Sequence, residues 1–242
     1  MQIIGQAAIA FVALLLAAPL AHATPIDDCN QSEDADKQIE GCTAFLQLDP
    51  LSPHVALAYG LRGSAYARKG DTSRALSDFD QALEIDPRQV RIYIHRGILS
   101  RDKGELDAAI ADFSKAIEID PKFADAFVNR CVAYKDKGEW DAAIADCDKA
   151  IAISPNDTVA YNDRAVAEEK KGDTEKALAD YGKAIELDPD LRDAYANRAV
   201  LLEAKGDKDG AVADYRAALA RDPNEEDRQE LEAALKRLAA SP

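Results

Sequence analysis

The sequence predicts an all-α chain built as an α-solenoid, in which antiparallel helix pairs stack one on the next. Three observations carry that prediction. Proline recurs at Pro87, Pro121, Pro155, Pro189 and Pro223, a constant step of 34 residues. Between the prolines, apolar and small residues return every three or four positions, the period of a helix face rather than of a strand. Near the middle of each unit stands a glycine (Gly70, Gly104, Gly138, Gly172, Gly206), so each unit divides into two helices. One amphipathic pair cannot bury both of its faces, so such units are stable only when stacked.

Taken in order, residues 1–23, "MQIIGQAAIAFVALLLAAPLAHA", read as a secretory signal peptide. The apolar run Ala7–Ala18 is followed by Ala21-His22-Ala23, a small-x-small cleavage pattern before Thr24. No Lys or Arg precedes the run, and a retained membrane anchor or a buried apolar helix are the competing readings. Cleavage between Ala23 and Thr24 predicts a periplasmic or secreted protein. Residues 24–55 form an N-terminal segment, irregular over 24–32. Its "ADKQIEGCTAFLQLDP" resembles the second helix of a unit whose first helix is mostly missing. Pro50 lies 37 residues before Pro87, so "LSP" is a small insertion.

Five full units follow, 56–89, 90–123, 124–157, 158–191 and 192–223. In the first, "AYGLRGSAYARKG" ends at Gly70 behind Arg68 and Lys69: glycine accepts left-handed dihedrals, and cations suit the carbonyl end of a helix. Asp71 then caps "TSRALSDFDQALEI", which stops before Asp86-Pro87. Residues 224–242, with "NEEDRQELEAALKRLAA", form a capping helix with a polar outer face. The total is about twelve helices.

Several side-chain columns keep the same step. Alanines recur at Ala75 and Ala82 and at their counterparts in each later unit, small enough for two helices to approach closely. Aromatics recur at Tyr59, Tyr93, Phe127, Tyr161 and Tyr195, and again at Phe79, Phe113, Tyr181 and Tyr215. Together with the small residues Gly63, Gly97, Cys131, Ala165 and Ala199 and the closing proline, these columns resemble the tetratricopeptide repeat over residues 56 to 223. The resemblance implies a right-handed superhelix and a scaffold that binds proteins. It names no partner, because the site varies from member to member.

Forty-five carboxylates against 30 Lys and Arg give a net charge of −15. That balance argues against nucleic acid and against an anionic membrane surface, both of which attract cationic patches. No stretch after the first segment approaches a membrane span. Three histidines (His22, His54, His95) and the lack of a Gly-rich phosphate loop or a Ser-His-Asp arrangement predict no enzyme, no catalytic residue and no cofactor. "GDKDG" at 206–210 lacks the spacing and terminal Glu of a calcium loop, and no metal site is expected.

Four cysteines permit three pairings. Cys131 occupies the small-residue column of a first helix and Cys147 the aromatic column of the second, nearly equidistant from the turn at Gly138–Glu139. Antiparallel packing sets them opposite one another. Cys42 shares the column of Cys147, and Cys29 precedes it by thirteen residues. Register and locality favour Cys29–Cys42 and Cys131–Cys147, each worth about 3 kcal/mol in an oxidising compartment. The alternative is that Cys131 and Cys147 are reduced, buried small hydrophobes.

An Arg column (Arg62, Arg96, Arg130, Arg164, Arg198) is matched by an Asp column (Asp78, Asp112, Asp146, Asp180, Asp214), read as a repeated ion pair across each hairpin worth roughly 0–1 kcal/mol if exposed. The resemblance implies that the first helices line a concave groove holding an extended or helical peptide. The residues just before each Arg then face it: Leu61, His95, Asn129, Asp163 and Asn197, with Asn162 beside them. An Asn amide donates and accepts at once, so a ladder of them would hold a peptide backbone without reading its sequence. Ile98, Val132, Val166 and Val200, one turn on, would supply an apolar floor. Some members clamp a C-terminal carboxylate with Lys, but Gly60, Ile94, Val128, Asn162 and Ala196 stand two before each Arg here, and Arg91 is the one cation suitably placed. Ordinary solvated side chains are the competing reading of the ladder. Two other functions stand beside peptide binding: a cell-envelope accessory protein contacting glycan through Tyr161 and Tyr195, and a self-associating structural solenoid.

Overall fold

The structure, a computed structural model, describes residue 27 and residues 29–30, 33–221 and 223–240. The expected signal peptide and its cleavage site lie outside the described residues. Twelve α-helices are laid out among those residues: α1 (Ala35–Leu48), α2 (Val55–Arg68), α3 (Thr72–Ile85), α4 (Val90–Asp102), α5 (Leu106–Ile119), α6 (Ala124–Lys137), α7 (Trp140–Ile153), α8 (Thr158–Lys171), α9 (Thr174–Leu187), α10 (Arg192–Ala204), α11 (Lys208–Leu219) and α12 (Glu225–Ala240). The pairs α2/α3, α4/α5, α6/α7, α8/α9 and α10/α11 are antiparallel hairpins, each packed on the next. Helix α1 packs on α2 as a second helix without a full first one, and α12 covers α11.

Local chemistry sets the ends. Asp71 accepts from the Arg74 N–H at 3.1 Å and starts α3, as its place after Gly70 predicts. Asp34, Asp157 and Asp207 cap α1, α8 and α11 in the same way. Gly70 has φ of 75°, and a Cβ there would meet nothing within 4 Å, so the backbone conformation alone calls for glycine.

Inside each hairpin one contact is filled in three ways. A Cβ at Gly63 would lie 2.7 Å from the Phe79 ring, and one at Gly97 2.6 Å from Phe113, so glycine faces phenylalanine. In the last two units Ala165 packs with Tyr181 and Ala199 with Tyr215. Those tyrosines donate to Glu169 (3.1 Å) and Glu203 (2.9 Å). The middle unit fills the same place with the Cys131–Cys147 disulfide, Cα atoms 5.6 Å apart. Trp140 packs locally against this bond together with Tyr134 and Ile144.

A second disulfide joins Cys29 to Cys42, Cα atoms 4.4 Å apart, and both cysteines are wholly buried. Contrary to the expectation of irregular chain, the backbone at Asp27, Cys29 and Asn30 is helical. The bond and a hydrogen bond from Gln38 Nε2 to the Cys29 carbonyl (2.9 Å) hold this turn on α1.

The Arg–Asp pairs are stronger than exposed surface pairs. In every hairpin the guanidinium grips the carboxylate through two nitrogens: for Arg96, Nε reaches Asp112 Oδ2 at 2.9 Å and Nη2 reaches Oδ1 at 2.6 Å. Each Asp is buried, the five residues being 5–8 % exposed. Each guanidinium also lies over the aromatic ring three residues before it, at 5.4–5.9 Å from the centroid. A third nitrogen, Nη1, reaches back to the preceding second helix: Arg62 to Thr43, Arg96 to Asp80, Arg130 to Ser114 and Arg164 to Asp148. The last step breaks, because Gly182 holds the equivalent place below Arg198. A Cβ at 182 would sit 3.5 Å from Arg198 Nη1, an ordinary contact.

Gly182→Ser should therefore complete the ladder. Better helix propensity and one hydrogen bond to a charged group add about 1 kcal/mol. The thermal midpoint should rise by roughly 2–4 °C for a chain of this size. An unchanged or lower midpoint would show that the link between units contributes nothing.

Candidate functional site

The first helices α2, α4, α6 and α8 touch in succession, so their side chains share one surface. Not all the residues expected on that surface are open. Leu61 is half-buried against the Cys29–Cys42 cluster. Asp163 is 4 % exposed, and its carboxylate accepts from Lys135 Nζ at 2.6 Å. Burial pushes the Asp163 pKa up, while the Lys135 ammonium opposes the shift. The pair ties α6 to α8.

The asparagines do not form a uniform ladder. Asn129 Nδ2 donates to the Asp125 carbonyl of its own helix at 2.8 Å. Asn197 approaches the Tyr181 hydroxyl of α9, in the preceding hairpin. Asn162 Oδ1 is buried and is alone among the buried side-chain polar atoms of the described residues in having no partner. The apolar floor is graded: Ile98 and Val166 pack partly into the core, Val132 is half-buried, and Val200 is 53 % exposed. Arg91 is exposed on α4 and has no hydrogen bond or ion pair among the described residues.

His95 keeps much of its surface open, yet its ring sits 5.9 Å from Phe79 and its Nδ1 lies 3.2 Å from Ser64 Oγ. Burial, with Arg91 close by, lowers its pKa, so the imidazole is neutral at pH 7. Around it, between α2 and α4, is a cavity of about 360 Å³ that also takes in Ala67, Arg68, Ile98 and Leu99. A second opening of about 600 Å³ continues past Asn197 and Val200 to Leu231, Ala234 and Arg237 of α12.

Sequence reasoning missed Ser64, Arg68 and Leu99. Ser64 was within reach, since it stands in the same column as Ile98, Val132, Val166 and Val200. The α12 walls were not, because that helix lies outside the period. Tyr161 packs partly into the core with Arg164 over its ring, and Tyr195 does so with Arg198 and Arg221 over its ring.

The arrangement is a helical-repeat scaffold whose first helices offer a shared surface of apolar and hydrogen-bonding groups. The chain belongs to the tetratricopeptide repeat family: family models described as tetratricopeptide repeat match residues 56–89, 132–201 and 192–225, and one described as TPR repeat matches 99–138. Among solved structures it is similar to MamA over 71% of this chain and 96% of that one, with 27% identity and a TM-score of 0.61. It shares its fold with YrrB, described as a TPR protein with an unusual peptide-binding site (21% identity, 81% of this chain, 99% of that one, TM-score 0.64). The same holds for PilW, a type IV pilus biogenesis factor (19% identity, 78% of this chain, 92% of that one, TM-score 0.67). The chain is thus a scaffold of the kind that binds proteins. No helix among the described residues is long and apolar enough to cross a membrane.

Proposed function

We propose that the chain is an exported, non-catalytic scaffold that holds a segment of a partner protein along its first helices. The observation that carries this reading is the juxtaposition of the Ile98, Val132, Val166 and Val200 column with the unpartnered Asn162 Oδ1. A buried acceptor without a partner costs on the order of 1–3 kcal/mol. A peptide laid along the column covers the valines with its side chains, and Asn162, by turning its amide outward, accepts a backbone N–H from it. Export is supported by the apolar stretch ahead of Ala21-His22-Ala23 and by two disulfides, bonds that persist in oxidising compartments.

The test is site-specific photo-crosslinking in the native host. A photoreactive residue at Ile98 or Val200 should capture a partner, whereas one at Glu84 or Ala152, exposed on second helices, should not. Asn129→Ala with Asn162→Ala should cut the yield from the groove positions several-fold and leave the thermal midpoint in place. Adducts arising from the second-helix positions alone would remove the groove reading.

A further inference from the structure

The groove is not electrically uniform. Helix α2 carries Arg62 and Arg68 and no carboxylate, and α4 carries Arg91, Arg96 and Arg101 against Asp102 alone. Helices α8 and α10 hold as many carboxylates as cations. Arg62 and Arg96 are committed to Asp78 and Asp112 within their own hairpins. Arg68, Arg91 and Arg101 remain as a cationic end in a chain of net charge −15. Arg68 donates to the neutral Gln38 Oε1 at 2.6 Å, and Arg101 reaches its neighbour Asp102 at 3.1 Å.

The cavity between α2 and α4 lies at this end, with Phe79, Ala67, Ile98 and Leu99 as apolar walls. Its polar edge has a definite sense. The Ser64 hydroxyl has one proton, and it donates that proton to the nearer acceptor, the Gly60 carbonyl at 2.9 Å. Ser64 Oγ must therefore accept from His95, which places the imidazole proton on Nδ1 and leaves Nε2 as an acceptor. A ligand here needs an N–H for His95, an apolar group for the cavity and negative charge for the arginines.

Building on the groove reading above, we propose that this end takes an acidic stretch of the partner protein, with one large apolar side chain seated against Ala67, Ile98 and Leu99, carboxylates on Arg91 and Arg68, and a backbone N–H donated to His95. Charge fixes the register. Helix α6 commits Arg130, Lys135 and Lys137 to Asp146, Asp163 and Asp107, and α8 and α10 are balanced, so the α2–α4 end attracts such a stretch most.

A phage-displayed library of random peptides, panned on the oxidised protein, tests the chemistry without a known partner. The selected pool should place Asp or Glu beside Leu, Ile or Phe, and should lose about tenfold or more of its retention on Arg91→Glu, the scale of one charge-assisted hydrogen bond. Arg88→Glu, also exposed but in the connection before α4, should change it little. A pool without acidic residues, one held equally by Arg91→Glu, or no enrichment at all would overturn the proposal. Amide shifts induced by the strongest peptide separate this failure from that of the groove reading. Shifts at Ser64, His95 and Ile98 support both, shifts centred on Asn197 and Val200 sink this proposal alone, and shifts confined to second helices sink both.

Discussion

Replacing Cys131 and Cys147 together by alanine should destabilise the protein by about 3 kcal/mol or more, read as a lower urea midpoint under oxidising conditions. The cross-link joins residues 16 apart and restricts the unfolded chain by about that amount. The bond also fills the contact that glycine and phenylalanine fill in the first two units. Two alanines would leave that contact empty beside Trp140, Tyr134 and Ile144. The repeats themselves supply the control: Cys131→Gly with Cys147→Phe copies the Gly63–Phe79 and Gly97–Phe113 arrangement. That variant should recover the packing share and lose to reductant only what breaking Cys29–Cys42 costs, whereas the parent should lose more when reduced. A parent unaffected by reductant would mean that the cross-link does not restrict the unfolded chain in solution.

Why the sequence foretold this pairing also explains where it fell silent. In hairpins of constant length, residue i of the first helix meets residue i+16 of the second. The glycine–aromatic, cysteine–cysteine and Arg–Asp contacts all share that offset, so register in the sequence was enough to align them. Burial does not follow from register. The Arg–Asp column reads the same whether solvated or enclosed, and the fork geometry with its enclosed carboxylates emerged only from packing. The groove column diverged because its neighbours differ between units. Asp163 is enclosed since Lys135 stands where earlier units carry Ala67 and Arg101. Asn197 turns toward the preceding hairpin, where Tyr181 of α9 presents a hydroxyl. The α10–α12 opening was invisible, since α12 follows no repeat.

Asp112→Ala should cost about 3 kcal/mol, out of proportion to a surface ion pair. The Asp112 side chain is 10% exposed and that of Arg96 is 26% exposed, so the substitution strands a half-buried guanidinium rather than returning it to water. Breaking one side of a buried pair is worth about 3–5 kcal/mol, and the remaining contacts of Arg96 with Asp80 and the Tyr93 ring place this case at the lower end. Asp80→Ala removes the other carboxylate on the same guanidinium. Its side chain is 62% exposed, so that variant should lose less than about 1 kcal/mol. Comparing the two separates the link within a hairpin from the link between hairpins. Arg96→Met with Asp112→Leu should recover most of the loss, because an apolar pair of similar volume avoids desolvating two charges. In a solenoid each unit contacts chiefly its neighbours, so the damage should be local: amide protection should fall first in α4 and α5 and later at the two ends. A uniform loss of protection from α1 to α12 would instead mean that the stack unfolds as one cooperative unit.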